Sequence, residues 1–171
     1  DNINDSEKVG EGLEIIHSTS DRLMQFVNSF RQVTRVPTPQ KTPFSLKELI
    51  DDAVALIDFG KIKINININP EDTLLYADRS QMSQVIVNLL KNAVESCDNN
   101  TDDKDYSVEV QSHLDSEERI HIEVSNNGGK ISEEIAENIF MPFFTTKRDG
   151  SGIGLAISRQ ILRLHGGVIR L

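Results

Sequence analysis

Apolar side chains in residues 6–35 recur at alternating steps of four and three residues, with Ser20 and Thr34 completing the register. The members of this seam are Val9, Leu13, Ile16, Leu23, Val27 and Phe30. A heptad seam predicts a long helix of a bundle or coiled coil. One helix cannot bury this surface, so we expect it to pack in a homodimer, together with a helix outside this sequence. Packing back onto its own domain is the alternative.

The helical pattern stops where prolines accumulate. Three of the five prolines fall between Arg35 and Pro43. This composition predicts a semi-rigid linker. We therefore divide the chain into a bundle helix at residues 1–36, a linker at residues 37–43 and a domain at residues 44–171.

Helical and alternating patterns follow one another within residues 44–171. Ser45 is a predicted N-cap, and Asp78 with Gln81 forms a predicted capping box. The predicted helices span residues 45–58, 78–97, 132–140 and 153–165. The predicted strands span residues 61–69, 74–77, 106–114 and 119–125, with a strand-like run at the C-terminus. This order predicts an α/β fold, a two-layer sandwich in which one mixed sheet has helices on one face.

Composition narrows the classes of partner. The net charge of −9, from 18 basic and 27 acidic residues, argues against nucleic acid or an anionic membrane surface. The single cysteine excludes an intrachain disulfide, and neither a signal peptide nor a membrane-spanning run occurs. We therefore expect a cytoplasmic location and no membrane contact for this segment. Because the chain begins without Met and ends inside an apolar run, we expect a fragment of a longer protein whose membrane attachment stays open.

The helix at residues 78–97 bears a row of carboxamides beside its apolar face. Gln84, Asn88 and Asn92 are each four residues apart, so they stack on one side of the helix. A solvated flank would explain such a row, but carboxamides at the edge of a core-facing helix can also serve a bound polar group.

Glycines cluster further along the chain. The run Gly150-Ser-Gly-Ile-Gly154 leads directly into the last predicted helix. Glycines at a helix N-terminus allow phosphate to approach the backbone N–H groups, although a flexible turn is the simpler explanation. The preceding run Phe140-Met-Pro-Phe-Phe144 anchors a loop that bears Lys147 and Arg148, which is typical of a lid.

Four motifs in order give the chain a specific resemblance. These are Asn88-Leu-Leu-Lys-Asn-Ala93, Asn126-Asn-Gly128, Phe140-Met-Pro-Phe-Phe144 and Gly150-Ser-Gly-Ile-Gly154. They resemble the N, G1, F and G2 boxes of the ATP-binding domain of two-component sensor histidine kinases, a Bergerat-type fold shared with DNA gyrase, MutL and Hsp90. The resemblance covers residues 44–171. Residues 6–35 are similar to the second helix of the dimerisation and phosphotransfer hairpin that precedes this domain.

The resemblance implies roles for individual residues. Asn92 matches the Mg²⁺ ligand, and Asn88 would contact the phosphates or a metal-bound water. Lys147, or Arg148, would neutralise charge on the transferring γ-phosphoryl, so Asn88 and Lys147 are the implied catalytic residues. The implied ATP-binding set is Asn88, Lys91, Asn92, Asn126, Gly128, Ile131, Phe140, Thr145, Thr146, Lys147, Gly150, Ser151, Gly152, Ile153, Gly154 and Leu155.

Two positions depart from the family pattern. Asn126 stands where an Asp accepts a hydrogen bond from the adenine amino group, and Lys130 stands where a second glycine is expected. An amide oxygen can accept the same bond, but it is neutral, and its NH₂ group could donate instead. Adenine selectivity is therefore open, whereas the intact phosphate-side motifs favour ATP binding.

The resemblance implies a protein-histidine kinase that transfers the γ-phosphoryl of Mg-ATP to a histidine, with a response regulator receiver domain as the next acceptor. None of His17, His113, His121 and His165 has the family's acceptor surroundings, so we expect the acceptor upstream of Asp1. An ATP hydrolase of the gyrase type and a pseudokinase with a weakened site are the alternatives. In the hydrolysing relatives the position of Asn88 bears a Glu that activates water, and an amide cannot act as that base.

Overall fold

The computed structural model describes residues 6–34, 36–98, 105–147 and 150–171. A boundary after Val36 separates two compact units. The first unit contains helix α1, Ser6–Thr34. Its apolar side chains Val9, Leu13, Ile15, Ile16, Leu23, Met24 and Val27 are all exposed. Among the described residues, no helix is both long and apolar enough to cross a membrane.

The second unit begins with a strand that the sequence did not predict. β1, Thr42–Ser45, pairs antiparallel with β3, Leu74–Ala77. Residues 42–45 lack a periodic pattern, and Pro43 lowers their strand propensity. Their pairing with residues 29 to 35 positions away cannot be read from local sequence.

Helix α2, Leu46–Ala55, follows β1 directly. The Ser45 side chain accepts a hydrogen bond from the backbone N–H of Glu48 at 3.3 Å, as the predicted N-cap requires. The helix ends at Ala55, before the predicted Asp58, and the Asp58 carboxylate instead accepts from the N–H of Gly60, two residues further on, at 2.9 Å. Gly60 has a φ of +53°, which favours a turn rather than a further helical residue.

The other described strands form a three-stranded sheet in the order β2-β4-β5. β2, Lys63–Ile68, runs parallel to β4, Ser107–Leu114, and β4 runs antiparallel to β5, Ile120–Asn126. The sheet is therefore mixed, as predicted. The prediction of one sheet is wrong for the described residues, because β1 and β3 pair only with each other. The C-terminal run at residues 167–171 is not a strand either, and Val168 and Leu171 are exposed.

The described part of the second unit contains three further helices: α3, Arg79–Asp98, α4, Glu133–Asn138, and α5, Gly154–Leu164. The core consists of fully buried side chains from α2, α3, β4 and α5. They are Leu49, Ile50, Leu90, Cys97, Val108, Val110 and Ile161. α3 packs against α2, α5 and the sheet, so it is the central helix, and the predicted α/β class is confirmed.

Only one of the two hydrogen bonds of the predicted capping box is present at the start of α3. Asp78 Oδ1 accepts from the Gln81 N–H at 3.1 Å. The Gln81 side chain donates instead to the Pro37 carbonyl at 3.0 Å, and the Asp78 N–H donates to His165 Nε2 at 3.0 Å. Long-range partners have thus replaced the reciprocal local bond.

Candidate functional site

The carboxamide row of α3 is only partly solvated. Gln84 is exposed, whereas Asn88 and Asn92 are half-buried. Asn88 Nδ2 donates to Ser158 Oγ at 3.0 Å, and Ser158 is buried within α5. The amide of Asn88 therefore joins α3 to α5. The sequence did not identify Ser158, because one serine on an amphipathic helix gives no local signal.

Glycines allow α5 and the preceding loop to come close to their neighbours. A Cβ atom at Gly154 would overlap Asn88 Oδ1, so the first residue of α5 lies directly against that amide. Gly152 has a φ of +65°, and a Cβ there would lie 2.6 Å from the carbonyl carbon of Phe143. The Phe143 N–H donates to the Gly152 carbonyl at 2.8 Å. Side chains at these positions would push the loop away from the site.

The end of β5 is fixed to α3 and to the start of β4. Asn127 Oδ1 accepts from the Ser107 N–H at 2.8 Å, and its Nδ2 donates to the Asp105 carbonyl at 3.0 Å. A Cβ atom at Gly128 would lie 2.6 Å from the Ser96 carbonyl oxygen. This close approach explains the glycine, and the added Cβ atom would also lie 3.0 Å from Nδ2 of the exposed Asn126.

The side chain of Lys147 contacts two residues of α3. Its Nζ donates to Asn92 Oδ1 at 2.9 Å and forms an ion pair with the carboxylate of Glu95. Glu95 lies three residues after Asn92, on the same side of the helix. That spacing is a signal that the sequence interpretation missed.

The predicted site residues fall into two groups. The first group consists of three pairs that lie side by side. The Lys147 ammonium donates to Asn92. A Cβ atom added at Gly154 would overlap Asn88, and one added at Gly150 would overlap Thr145. Ile153 is buried, Leu155 is half-buried, and the ring of half-buried Phe140 lies 5.8 Å from the guanidinium carbon of Arg159. The exposed members are Lys91, Asn126, Ile131, Thr145, Thr146 and Ser151. Arg148 lies outside the described residues.

Oxygen ligands for a hard cation are available at this site. Asn92 Oδ1 and the Glu95 carboxylate already face one cationic group, the Lys147 ammonium. The described residues contain no cluster of three or more His, Cys, Asp or Glu side chains arranged for a metal. Mg²⁺ suits such a place, because it commonly takes one or two protein oxygens and completes its shell with water and phosphate. The residues present therefore fit Mg²⁺ bound with a nucleotide.

The α5 N-terminus offers a place for phosphate. The N-cap residue Ile153 makes no side-chain capping hydrogen bond. The N–H groups of a first helical turn have no partners within the helix, and they lie at the positive end of the helix dipole. The glycine turn leading into α5 thus presents backbone donors next to Asn88.

None of the four histidines takes part in the contacts described above for the site. His17 is exposed on α1 and lies 3.1 Å from the Asp21 carboxylate. His113 and His121 stack with ring centroids 4.9 Å apart, and the His121 hydrogen bond is the main reason that the pKa of Asp115 lies well below its usual range. His165 follows the last residue of α5, and its Nδ1 lies 2.8 Å from the Ile161 carbonyl oxygen.

Comparison with known proteins identifies the family. Residues 77–171 match the family described as histidine kinase-, DNA gyrase B-, and HSP90-like ATPase, and the chain belongs to it. The resemblance inferred from the four boxes is confirmed. The chain is 32% identical over 164 residues to the sensor protein FixL of Bradyrhizobium diazoefficiens, covering 94% of this chain and 32% of that relative.

Solved structures agree with this assignment. The nucleotide-free catalytic domain of the histidine kinase ThkA is 33% identical, with a TM-score of 0.63, covering 72% of this chain and 80% of that domain. ThkA in complex with the response regulator protein TrrA is 29% identical, with a TM-score of 0.65, covering 97% of this chain and 47% of ThkA. This chain spans about a third of the length of FixL, so it corresponds to one part of such a sensor protein.

Proposed function

We propose that this chain is the ATP-binding catalytic part of a sensor histidine kinase, which transfers the γ-phosphoryl of Mg-ATP to a histidine upstream of Asp1. The observation that supports it most is the convergence of the Asn92 carboxamide, the Lys147 ammonium and the glycine turn before α5. Together they provide a cation ligand, a positive charge and backbone donors, which are the groups that a triphosphate requires.

Each residue has a defined part in this proposal. Asn92 supplies an oxygen to Mg²⁺, and Gly152, Gly154 and Leu155 present backbone N–H groups to phosphate oxygens. Lys147 stabilises negative charge on the transferring group. The bound metal contributes charge neutralisation and alignment of the phosphates. The remaining implied contacts, including Lys91, Ile131, Phe140 and Thr145, line the same site in this proposal.

The side chain of Asn88 supports transfer of the γ-phosphoryl group to an acceptor other than water. Its Nδ2 is engaged by Ser158, and its Oδ1 belongs to a neutral amide, which cannot remove a proton near neutral pH. A gyrase-type hydrolase needs a base at this position. The chemistry of Asn88 therefore supports phosphoryl transfer to a histidine over direct hydrolysis.

The partners follow from the same proposal. A receiver domain of a response regulator is the next phosphoryl acceptor, and the solved complex of ThkA with the response regulator protein TrrA supports this class of partner. The exposed apolar side chains of α1 support a homodimer formed through that helix. The segment would act in the cytoplasm, where ATP and the receiver domain are available.

The proposal is tested with the full-length protein and with the 171-residue chain. With labelled ATP and Mg²⁺, the full-length protein should acquire acid-labile phosphate on a histidine upstream of Asp1, and the chain alone should acquire none. Calorimetry should detect Mg-ATP binding by the chain. Asn92→Ala should weaken that binding by about ten-fold or more, because it removes a ligand of a charged group.

Gln84→Ala is the matched control, because Gln84 is in the same carboxamide row but is exposed to solvent. This variant should bind Mg-ATP like the parent chain. Acid-labile phosphate on His17 would refute the upstream acceptor. Steady phosphate release without any phosphohistidine would favour the hydrolase, and absence of binding that Asn126→Asp restores would favour a pseudokinase.

A further inference from the structure

The Glu95 carboxylate forms an ion pair with Lys147, and the proposed reaction assigns no role to Glu95. The Lys147 ammonium lies between two oxygen groups of α3, the Asn92 carboxamide and the Glu95 carboxylate. The Lys147 and Glu95 side chains are 35% and 49% exposed, so neither is fully solvated. Two partners from one helix hold the ammonium more specifically than a single surface ion pair would.

The backbone around Lys147 orients its side chain toward α3. The Lys147 N–H donates to Thr145 Oγ1 at 3.1 Å, and the Lys147 carbonyl accepts from the Gly150 N–H at 3.3 Å. A Cβ atom at Gly150 would lie 2.5 Å from Thr145 Oγ1, so the turn needs glycine there. The turn therefore presents Lys147 to Asn92 and Glu95.

A divalent cation and this ammonium compete for the same oxygen. Mg²⁺ binds oxygen at about 2.1 Å, so Mg²⁺ on Asn92 Oδ1 would lie within roughly 5 Å of Lys147 Nζ in its present position. Two positive groups at that separation repel each other in a partly buried site. Lys147 therefore has to leave Asn92 when a metal–nucleotide complex binds there.

We propose that Glu95 is a positioning residue that holds Lys147 on Asn92 in the nucleotide-free protein, so that Mg-nucleotide binding requires Lys147 to leave this contact. This inference rests on the proposed function, because it takes Mg-nucleotide as the ligand. Glu95 sets how readily Lys147 is released and thus tunes nucleotide affinity without contacting the nucleotide. Once released, the ammonium is free to approach the phosphates.

The test compares Glu95→Gln in the parent chain and in the Lys147→Met background. Glu95→Gln should tighten Mg-ADP binding by about two- to five-fold, the range for loss of a partly exposed ion pair that competes with the ligand. In the nucleotide-free chain, it should also accelerate hydrogen exchange at the Lys147 and Gly150 amides. With Lys147→Met present, neither effect should remain, because the contact is already absent.

The Lys147→Met background separates this role from simple removal of a negative charge near a polyanion. Equal tightening in both backgrounds would overturn the proposal, as would no change in either background. Weaker Mg-ADP binding by Glu95→Gln would also overturn it, since that result would make Glu95 a metal ligand. If no variant binds nucleotide, the proposed function fails, whereas the exchange rates of the nucleotide-free chain still report whether Glu95 holds Lys147.

Discussion

Gly154 lies directly against Asn88, where α5 meets α3. The absence of a side chain at Gly154 leaves room for Asn88 Oδ1, while Asn88 Nδ2 donates to Ser158. Ser158 is only 1% exposed, so water cannot readily replace this hydrogen bond. A single glycine therefore preserves both the helix packing and the satisfaction of a buried polar group.

Gly154→Ala should destabilise the chain by about 1–3 kcal/mol, because the added methyl displaces the Asn88 amide and leaves Ser158 without that hydrogen bond. Urea denaturation of the two proteins measures the difference. Gly167→Ala is the matched control, because a Cβ atom there would lie an ordinary 3.5 Å from the Leu162 carbonyl oxygen. Its effect should stay within about 0.5 kcal/mol. Equal loss of stability in both variants would contradict this account of Gly154.

Individual site residues differ in how far the sequence reveals them. Spacing alone draws attention to Asn88, Asn92 and the glycines at positions 150, 152 and 154, because helical periodicity and glycine runs are local properties. It does not draw attention to Ser158 and Asn127, since their partners lie 70 and 20 residues away in the chain. A polar side chain that meets its partner only after folding gives no periodic signal.

At the scale of elements, the N-terminus of α3 joins three parts of the second unit. The Asp78 carboxylate accepts hydrogen bonds from the Ser80 hydroxyl and from the Gln40 and Gln81 N–H groups. These bonds, led by that from Ser80, lower the pKa of Asp78 from 3.8 to about 2. The Asp78 N–H also donates to His165 at the end of α5. One residue thus links the segment before β1, α3 and α5.

Asp78→Asn should therefore cost stability in a pH-dependent way. The folded-state pKa lies below the unfolded value, so the carboxylate stabilises the fold above about pH 4, and this contribution disappears as the pH falls through about 2. Because the group is only partly buried, we expect a difference of about 1 kcal/mol at pH 7, reduced to about half at pH 3. Urea titrations of both proteins between pH 3 and 7 measure it. A constant difference across this range would contradict a role for the ionised carboxylate.

Elements with a strong local period were predicted within a few residues. α3 was predicted at residues 78–97 and spans Arg79–Asp98, and the β4–β5 hairpin is displaced by one residue at most. β1 was missed because its four residues contain a proline and pair with a distant strand. The predicted C-terminal strand is not formed because residues 167–171 have no strand partner among the described residues.

At the scale of the whole molecule, α1 differs from the second unit in where its apolar residues lie. Leu13, Ile16 and Leu23 of the heptad seam are more than 60% exposed, whereas the apolar positions of α2, α3 and α5 form a buried core. The Phe30 and Thr34 side chains lie outside the described residues. Exposed seams of this kind are typical of helices that associate with other helices.

Ile16→Glu should therefore weaken self-association of the chain. A charge in the middle of an apolar seam has no partner to compensate its desolvation, so the dimer dissociation constant should rise by about ten-fold or more. Sedimentation equilibrium over a range of protein concentrations measures that constant. Circular dichroism of the same samples verifies that the helical content is unchanged.

Ser18→Glu is the matched control for this experiment. It introduces the same charge two residues further along α1, which places it on the opposite side of the helix from Ile16. Ser18 is exposed, and its hydroxyl donates to the Ile15 carbonyl within its own helix. If the seam is the dimer interface, Ser18→Glu should associate like the parent chain. Equal weakening by both substitutions would point to general charge repulsion in a chain of net charge −9, and a parent chain that stays monomeric would remove the homodimer from the proposed function.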